Sequence, residues 1–128
     1  MKKLILIRHA KSSWDAPLKD FDRPLTSVGI ADAHLVSSAV VNYLPKNFLL
    51  WSSSAKRASE TAMIFAQNIS FPVESIVFKE ELYTFDDFKL EQIISNCSDQ
   101  FDNLIVFGHN EAITNFVNKF GNIFIDNV

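Results

Sequence analysis

Short apolar runs alternate with amphipathic segments along the chain, and this alternation predicts the order of strands and helices. Leu4 to Ile7 are all apolar, which is typical of a strand buried on both faces of a sheet. The pattern predicts strands at residues 3–8, 48–51, 75–78 and 103–107, and helices at 27–43, 55–68, 86–96 and 111–119. Such alternation indicates an α/β fold: a three-layer sandwich with a largely parallel central sheet and helices on both faces, in one domain spanning 1–128.

The first two helices carry apolar residues at helical spacing. Thr26 is expected to cap the first helix, and Ser52 to Ser54 are expected to cap the second. The core-facing residues of the first helix are predicted to be Val28, Ala31, Leu35 and Ala39, with Val36 and Tyr43 beside them. Those of the second helix are predicted to be Ala58, Ala62, Phe65, Ala66 and Ile69.

Composition narrows the class of protein without identifying a function. The 128 residues are 48% hydrophobic, which is enough for a sizeable core. The net charge of −3 gives no overall attraction to nucleic acid or to an anionic membrane, so neither is expected as a partner. The single cysteine, Cys97, cannot form an intrachain disulfide and favours a reducing, cytoplasmic location.

The residues that could carry chemistry follow three of the predicted strands. In open α/β sheets, ligands bind beyond the carboxyl ends of the strands. Arg8 and His9 follow the first strand, Arg57 lies on the first turn after the second, and His109 follows the last. Two guanidiniums match phosphate oxygens, and a neutral imidazole can accept a phosphoryl group. Parallel neighbouring strands would therefore bring together a site for phosphoryl transfer.

Other uses of these residues are weaker. Each arginine or histidine alone is more often structural than catalytic, and it is their convergence that favours a site. Metal binding by His9 and His109 has no cysteine or carboxylate cluster at ligand spacing to support it. His34 lies mid-helix and is expected at the surface. Lys11, Ser12 and Ser13 could contact a phosphate or form a solvated loop.

Several motifs resemble one known family, the histidine phosphatase or phosphoglycerate-mutase-like superfamily. They are Leu-Ile-Arg-His-Ala at 6–10, Ser-x-x-x-Arg-x-x-x-Thr-Ala at 53–62, and Gly-His-Asn at 108–110. Arg-His-Ala-Lys-Ser-Ser-Trp at 8–14, followed by Asp-Phe-Asp-Arg-Pro-Leu-Thr at 20–26 and by Gly29, is similar to the SixA-type phosphohistidine phosphatases. The resemblance covers nearly the whole chain.

The resemblance implies a mechanism and a phosphoglycerate-mutase-like fold. His9 would be the nucleophile and would become phosphohistidine, while Arg8, Arg57 and His109 would complete the phosphate pocket. Water would then hydrolyse the intermediate, without a metal or organic cofactor. The substrate would be phosphohistidine on a protein or a related small phosphoester. The alternatives are a broad-specificity phosphatase of small phosphomonoesters and a phospho-binding module without turnover.

The chain departs from the family pattern at three points. Gly-His-Asn is followed by Glu111 instead of proline, and this acid could repel a dianion or raise the pKa of His109. The general acid has three candidates, Glu80, Glu81 and Asp86, none at an assignable spacing. Third, the chain is expected to lack the last strand of the family. Asp22 and Arg23, within the branch motif, are expected to shape the turn before Thr26 through a local ion pair.

Overall fold

A computed structural model describes residues 3–97 and 102–120 of the chain. The strands are β1 (Lys3–Arg8), β2 (Leu49–Ser53), β3 (Val77–Lys79) and β4 (Asn103–Gly108). The helices are α1 (Ser27–Val40), α2 (Lys56–Asn68), α3 (Asp87–Ser95) and α4 (Ala112–Phe120), with short 3-10 turns at Asp20–Asp22, Val41–Tyr43, Val73–Ser75 and Glu80–Leu82. The predicted order of elements is confirmed, with shifts of a few residues at their ends.

The four strands form one parallel sheet in the order β1-β4-β2-β3. Arg8 pairs with Gly108, and Ser52 pairs with Phe107, so β1, β4 and β2 end at the same edge. Parallel strands need crossover connections, and the helices supply them. The topology therefore brings residues that are about a hundred positions apart in sequence to one edge of the sheet.

Helices cover both faces of the sheet, as the pattern of β4 requires. Ile105 and Phe107 point to the α1 and α2 side, whereas Leu104 and Val106 point to the α3 and α4 side. All four of these side chains are almost fully buried, which explains the uninterrupted apolar run. The three-layer architecture predicted from the sequence is thus confirmed for the described residues.

The predicted core-facing residues of α1 are wrong. Val28, Leu35, Val36 and Tyr43 are 48–79% exposed, and Ala31 and Ala39 are exposed as well. The buried positions are Gly29, Ala33 and Ser37. Small side chains let α1 approach its neighbours closely: a Cβ at position 29 would lie 2.2 Å from the carbonyl oxygen of Lys11. Close backbone packing, not side-chain hydrophobicity, sets the orientation of this helix.

For α2 the prediction of the core-facing residues is confirmed, but the prediction of the cap is wrong. Ala58, Ala62, Phe65 and Ala66 are buried. The cap residue is Ala55, whose N–H is itself bound by Ser53 Oγ at 3.2 Å.

Two other features of the chain are its helix lengths and the strand expected to be missing. Among the described residues, no helix is long and apolar enough to cross a membrane. The expected absence of the family's last strand concerns residues beyond Phe120, which lie outside the described ranges, so it stays a prediction.

Candidate active site

The ends of β1 and β4 bring two histidines together. The backbone N–H of His9 donates to the carbonyl oxygen of Gly108 at 3.1 Å, which extends the strand pairing up to the site. The ring centroids of His9 and His109 lie 5.2 Å apart. Arg57, from the first turn of α2, donates from Nε to His9 Nε2 at 3.3 Å. The structure therefore places three of the four predicted site residues in direct proximity.

His9 is held in one tautomer and in its neutral form. Its Nδ1 lies 2.6 Å from the carbonyl oxygen of Ala10, which can only accept a proton, so the ring proton is on Nδ1. Nε2 then carries the lone pair that accepts from Arg57. Burial, and then the charges of Arg57, Arg8 and Arg23, lower the pKa of His9 to about 4 despite the Ala10 hydrogen bond. At neutral pH the side chain is an uncharged imidazole whose Nε2 is unprotonated and faces the Arg57 guanidinium.

Thr61 fixes the main chain that orients His9. Its hydroxyl donates to the carbonyl oxygen of Arg57 at 2.8 Å and accepts the backbone N–H of Ala10 at 3.1 Å. Thr61 thus links Arg57 to Ala10, whose carbonyl oxygen accepts the hydrogen bond from His9 Nδ1. Thr61, which belongs to the motif at 53–62, therefore has a physical role in positioning His9.

His109 presents a buried nitrogen without a partner among the described residues. Its Nε2 lies 2.8 Å from Ser53 Oγ, whereas Nδ1 is buried and has no hydrogen-bond partner there. Because Ser53 Oγ already accepts from the Ala55 N–H, its hydroxyl proton is available for His109 Nε2, which favours a proton on Nδ1. The site therefore contains a buried N–H donor whose acceptor a ligand can supply.

Burial controls the charge of His109. The rings of Tyr83 and Phe85 lie edge-on to His109, at centroid distances of 5.3 and 5.8 Å. Burial, and then the charge of Arg57, lower the pKa of His109 to about 3. The net shift is downward and Glu111 is not among its main causes, so the structure does not show the rise in pKa suggested for Glu111. The Glu111 side chain is exposed.

Arg57 is anchored by a residue for which the sequence indicated no role, Asp20. The guanidinium is 2% exposed and donates to the backbone oxygen of Asp20 and, at 2.9 Å, to its carboxylate. Arg23 makes a second ion pair with the same carboxylate at 3.0 Å, and the Tyr83 hydroxyl also donates to it. The local ion pair expected of Arg23 thus exists, with Asp20 as its partner.

The contacts of Asp20 fix its protonation state. Burial raises the pKa of Asp20, but the hydrogen bonds from Tyr83, Arg57 and Arg23 outweigh it and lower the pKa to about 2. Burial, and then the bond to Asp20, raise the pKa of Tyr83, so its hydroxyl stays protonated. Asp20 belongs to the branch motif and Tyr83 follows the third strand, so motif position could have identified both as candidates. Their contact spans 63 residues, and no local pattern encodes it.

Arg8 lies on the outer side of the site. It lines an open cleft of about 400 Å³ together with His9, Lys11, Ser12 and Trp14. Its side chain is exposed, and its charge contributes to the low pKa of His9. Lys11 and Ser12 therefore border the site, although Ser12 Oγ accepts a hydrogen bond from Arg23 at 2.8 Å.

The remaining candidates lie elsewhere. Glu80 and Glu81 are exposed, and Glu81 lies 3.9 Å from Lys79 in a surface ion pair. Asp86 caps α3 by accepting the backbone N–H of Phe88. His34 is exposed on α1, as predicted, and lies 3.0 Å from the side chain of Asn68. The carboxylate that contacts Arg57 is thus Asp20 and none of the three predicted acids.

One family model and one curated protein match this sequence. Residues 4–82 match the sequence model of the histidine phosphatase superfamily, branch 1. An uncharacterised chloroplastic protein of Arabidopsis thaliana is 36% identical over 122 aligned residues, covering 87% of this chain and 55% of that protein. The chain thus spans about half the length of the curated relative that it matches.

Solved structures confirm the predicted fold. A structure from Agrobacterium tumefaciens, assigned as the phosphohistidine phosphatase SixA, is 26% identical with a TM-score of 0.80 and covers 91% of this chain and 74% of that one. A tungstate complex of the protein histidine phosphatase SixA has a TM-score of 0.82 over 98% of this chain and 81% of its own. At 19% identity, the second likeness concerns the fold alone.

Proposed function

The chain belongs to the histidine phosphatase superfamily, in its SixA-type branch, and from this premise we propose that it hydrolyses phosphohistidine on a protein through a covalent intermediate on His9. The observation that carries the proposal is the state of His9. Its Nδ1 is tied to the Ala10 carbonyl, and its neutral Nε2 faces the guanidinium of Arg57. A nucleophile needs such a fixed, unprotonated atom next to positive charge.

In the first step, His9 Nε2 attacks phosphorus while the bond from phosphorus to the substrate nitrogen breaks. The substrate ring reacts with its other nitrogen protonated, so the electron pair of that bond goes to the ring nitrogen and the ring leaves as neutral imidazole. Charge on the three transferring oxygens is stabilised by the Arg57 guanidinium and the Nδ1–H of His109, with Arg8 adding positive charge at the cleft. These groups are largely preorganised, because Arg57 and His109 are both almost completely buried.

In the second step, water attacks the phosphorus of phosphorylated His9. The bond from phosphorus to Nε2 breaks, its electron pair returns to the ring, and inorganic phosphate leaves with the oxygen from water. Throughout both steps the proton stays on Nδ1 and keeps its hydrogen bond to the Ala10 carbonyl oxygen. His9 therefore returns to the neutral tautomer from which it started.

The state of Asp20 supports a substrate whose leaving group needs little protonation. With a pKa of about 2, Asp20 is ionised at neutral pH and cannot donate a proton. An alkoxide leaving from a phosphomonoester needs an acid, whereas imidazole is a tolerable leaving group. Transfer from phosphohistidine to His9 also exchanges one phosphorus–nitrogen bond for another of the same kind. These arguments favour phosphohistidine over small phosphomonoesters.

The proposal is tested by an assay of wild type and His9→Ala on a phosphohistidine protein and on a generic aryl phosphate. Wild type should prefer the phosphohistidine protein, and His9→Ala should lose activity by at least about a thousandfold. Brief incubation with labelled substrate should leave acid-labile, alkali-stable phosphate on wild type only. His34→Ala, an exposed histidine on α1, is the matched control and should keep full activity.

Three outcomes would contradict parts of the proposal. Full activity in His9→Ala removes the nucleophile assignment. A preference for the aryl phosphate favours the broad-specificity phosphatase. Tight binding of the phosphoprotein without turnover favours the phospho-binding module. The cytoplasmic location and the absence of nucleic-acid or membrane partners stay predictions from the sequence.

A further inference from the structure

Trp14 is a large aromatic side chain that stands exposed at the edge of the cleft. It is 75% exposed, and it lines the cleft together with Arg8, His9 and Lys11. A single exposed apolar residue is ordinary on a protein surface. Trp14 differs from such a residue because it lines the same cleft as the proposed nucleophile.

A buried arginine holds the indole in place. The Arg23 Cζ lies 3.4 Å from the centroid of the Trp14 ring, so its guanidinium covers one face of the indole. Arg23 is only 6% exposed and is fixed by Asp20, by Ser12 Oγ at 2.8 Å and by the Ser13 carbonyl at 3.1 Å. With one face covered and most of the ring exposed, the opposite face is open to solvent. The indole is therefore a preorganised flat surface that loses little conformational entropy on binding.

The chemistry of the cleft indicates what this surface would bind. A phosphoryl group at His9 keeps the atoms bonded to phosphorus within the same cleft. A planar π ring there can stack on the indole, and aromatic pairs of this kind attract beyond their buried area. A phosphorylated imidazole ring that is protonated on its other nitrogen carries positive charge until it leaves as neutral imidazole, and the face of an indole attracts cations. An aliphatic leaving group offers none of these contacts.

We propose that Trp14 is a specificity-determining residue that stacks on the imidazole ring of the phosphohistidine substrate. This inference rests on the proposed function. The ring would lie between the open face of Trp14 and the cleft wall, with its phosphoryl group at His9. Arg23, on the other face of the indole, acts through Trp14 as a positioning residue. Selectivity for a phosphorylated aromatic ring over other phosphoryl donors would then come from the edge of the site and not from the phosphate pocket.

The proposal separates two small substrates that share the same reaction. Phosphoimidazole and phosphoramidate both carry a phosphorus–nitrogen bond, but only the first has an aromatic leaving group. Trp14→Leu should lower kcat/KM for phosphoimidazole roughly three- to tenfold and leave phosphoramidate within about twofold. Trp14→Phe retains a π face and should keep most of the activity on phosphoimidazole. Tyr43→Leu is the matched control, since Tyr43 is 79% exposed and follows α1 away from the cleft.

The possible outcomes distinguish this proposal from the proposed function. Equal losses on both substrates, or no loss on either, would overturn the stacking role while the phosphatase assignment stands. Binding is measured separately in His9→Ala, where the two compounds can bind without transfer to His9. If wild type hydrolyses neither these compounds nor the phosphohistidine protein, the proposed function fails. In the His9→Ala background, adding Trp14→Leu should weaken the binding of phosphoimidazole and leave the binding of phosphoramidate unchanged. This result would support the stacking role even if neither compound is hydrolysed. Equal changes in both affinities would overturn it.

Discussion

The two sides of the cleft are held in place by different forces. On one side, His9, Arg57 and His109 form what we call the catalytic floor; Arg57 and His109 are 2% and 1% exposed. On the other side is the rim loop, residues 11–25, which carries Trp14 at 75% exposure. The floor is fixed by β4 and α2, which are buried in the core, and by β1, which is half-buried and pairs with β4. The rim loop depends on a few polar contacts that converge on Arg23.

This difference suggests a division of labour. Phosphoryl transfer needs groups that do not move when charge develops, and the ends of buried strands provide them. Recognition of a leaving group can use a surface residue, provided that its orientation is fixed beforehand. Asp20 joins the two sides, because its carboxylate binds Arg57 on the floor and Arg23 in the rim loop. Substitutions on either side should therefore produce effects of different kind as well as size.

Apart from removal of the nucleophile itself, the largest effect is expected from Arg57→Lys on the floor. Lysine keeps the charge but lacks the planar set of donors that contacts His9 and Asp20 at once. Loss of one preorganised donor to a transferring group costs about a hundred- to a thousandfold in kcat, and kcat/KM should fall by that factor on phosphoimidazole and phosphoramidate alike. Steady-state kinetics on both substrates provides the measurement.

One variant and one measurement serve as references for Arg57→Lys. Asp20→Asn keeps oxygen acceptors for Arg57 while removing the negative charge, and its loss should stay below about tenfold. Circular dichroism checks that Arg57→Lys is folded. If Arg57→Lys retained more than a third of wild-type activity, the floor would not depend on the geometry of the guanidinium, and the comparison with the rim loop would lose its basis.

The sequence predicts the floor well because each of its residues follows a strand that the apolar pattern identifies. Arg8 and His9 end the run from Leu4, and His109 follows Gly108 at the end of β4. Once the strands are taken as parallel neighbours, the proximity of their ends follows from the topology. The residues of the floor can thus be predicted from the strand assignment and a few motif residues.

The connections of the rim loop could not be predicted in the same way. Asp20 reaches Arg57 and Tyr83 across 37 and 63 residues, and no periodic pattern records a contact between a loop and a distant turn. The orientation of α1 was missed for a related reason. Its buried residues Gly29, Ala33 and Ser37 are small or polar, so a prediction that follows large apolar side chains selects the wrong face.

An intermediate effect on activity is expected from Gly29→Ala, a substitution on α1 that displaces the rim loop at Lys11. The new Cβ would lie 2.2 Å from the Lys11 carbonyl oxygen, which also accepts the Thr26 N–H at 2.9 Å, so the loop must shift. Overpacking of this kind costs about 1–3 kcal/mol in the free energy of unfolding, partly offset by the higher helix propensity of alanine. Urea denaturation measures the cost.

Kinetics of Gly29→Ala then distinguishes the two sides of the cleft. The preference for phosphoimidazole over phosphoramidate should decrease toward the value in Trp14→Leu, because the indole moves with the loop. Turnover of phosphoramidate should stay within about twofold. Ser38→Ala, an exposed small residue on the same helix, is the control. A Gly29→Ala protein with wild-type stability and preference would show that the loop tolerates the displacement.

A third effect, on stability and not on turnover, is a pH dependence that comes from the two histidines of the floor. The pKa values of His9 and His109 are about 4 and about 3 in the folded chain, against 6.5 for an ordinary histidine. Between pH 6.5 and about 4, the unfolded chain binds protons that the folded chain does not, so the free energy of unfolding must decrease as the pH falls. The slope approaches about 1.4 kcal/mol per pH unit for each histidine. Asp20, with a pKa of about 2 against 3.8, contributes stability that is lost only below that window.

Urea denaturation at pH 7, 6 and 5 tests this prediction. Wild type should lose stability progressively below pH 6.5, and His9→Gln should lose less per pH unit because one of the two groups is gone. His34→Gln, which removes an exposed histidine, should retain the wild-type slope. Trp14→Leu should also retain it, since the rim loop takes no part in the burial of His109. An equal slope in wild type and His9→Gln would mean that the pKa of His9 is not lowered in the folded chain, and the conclusion that the site keeps His9 neutral below pH 6.5 would then be wrong.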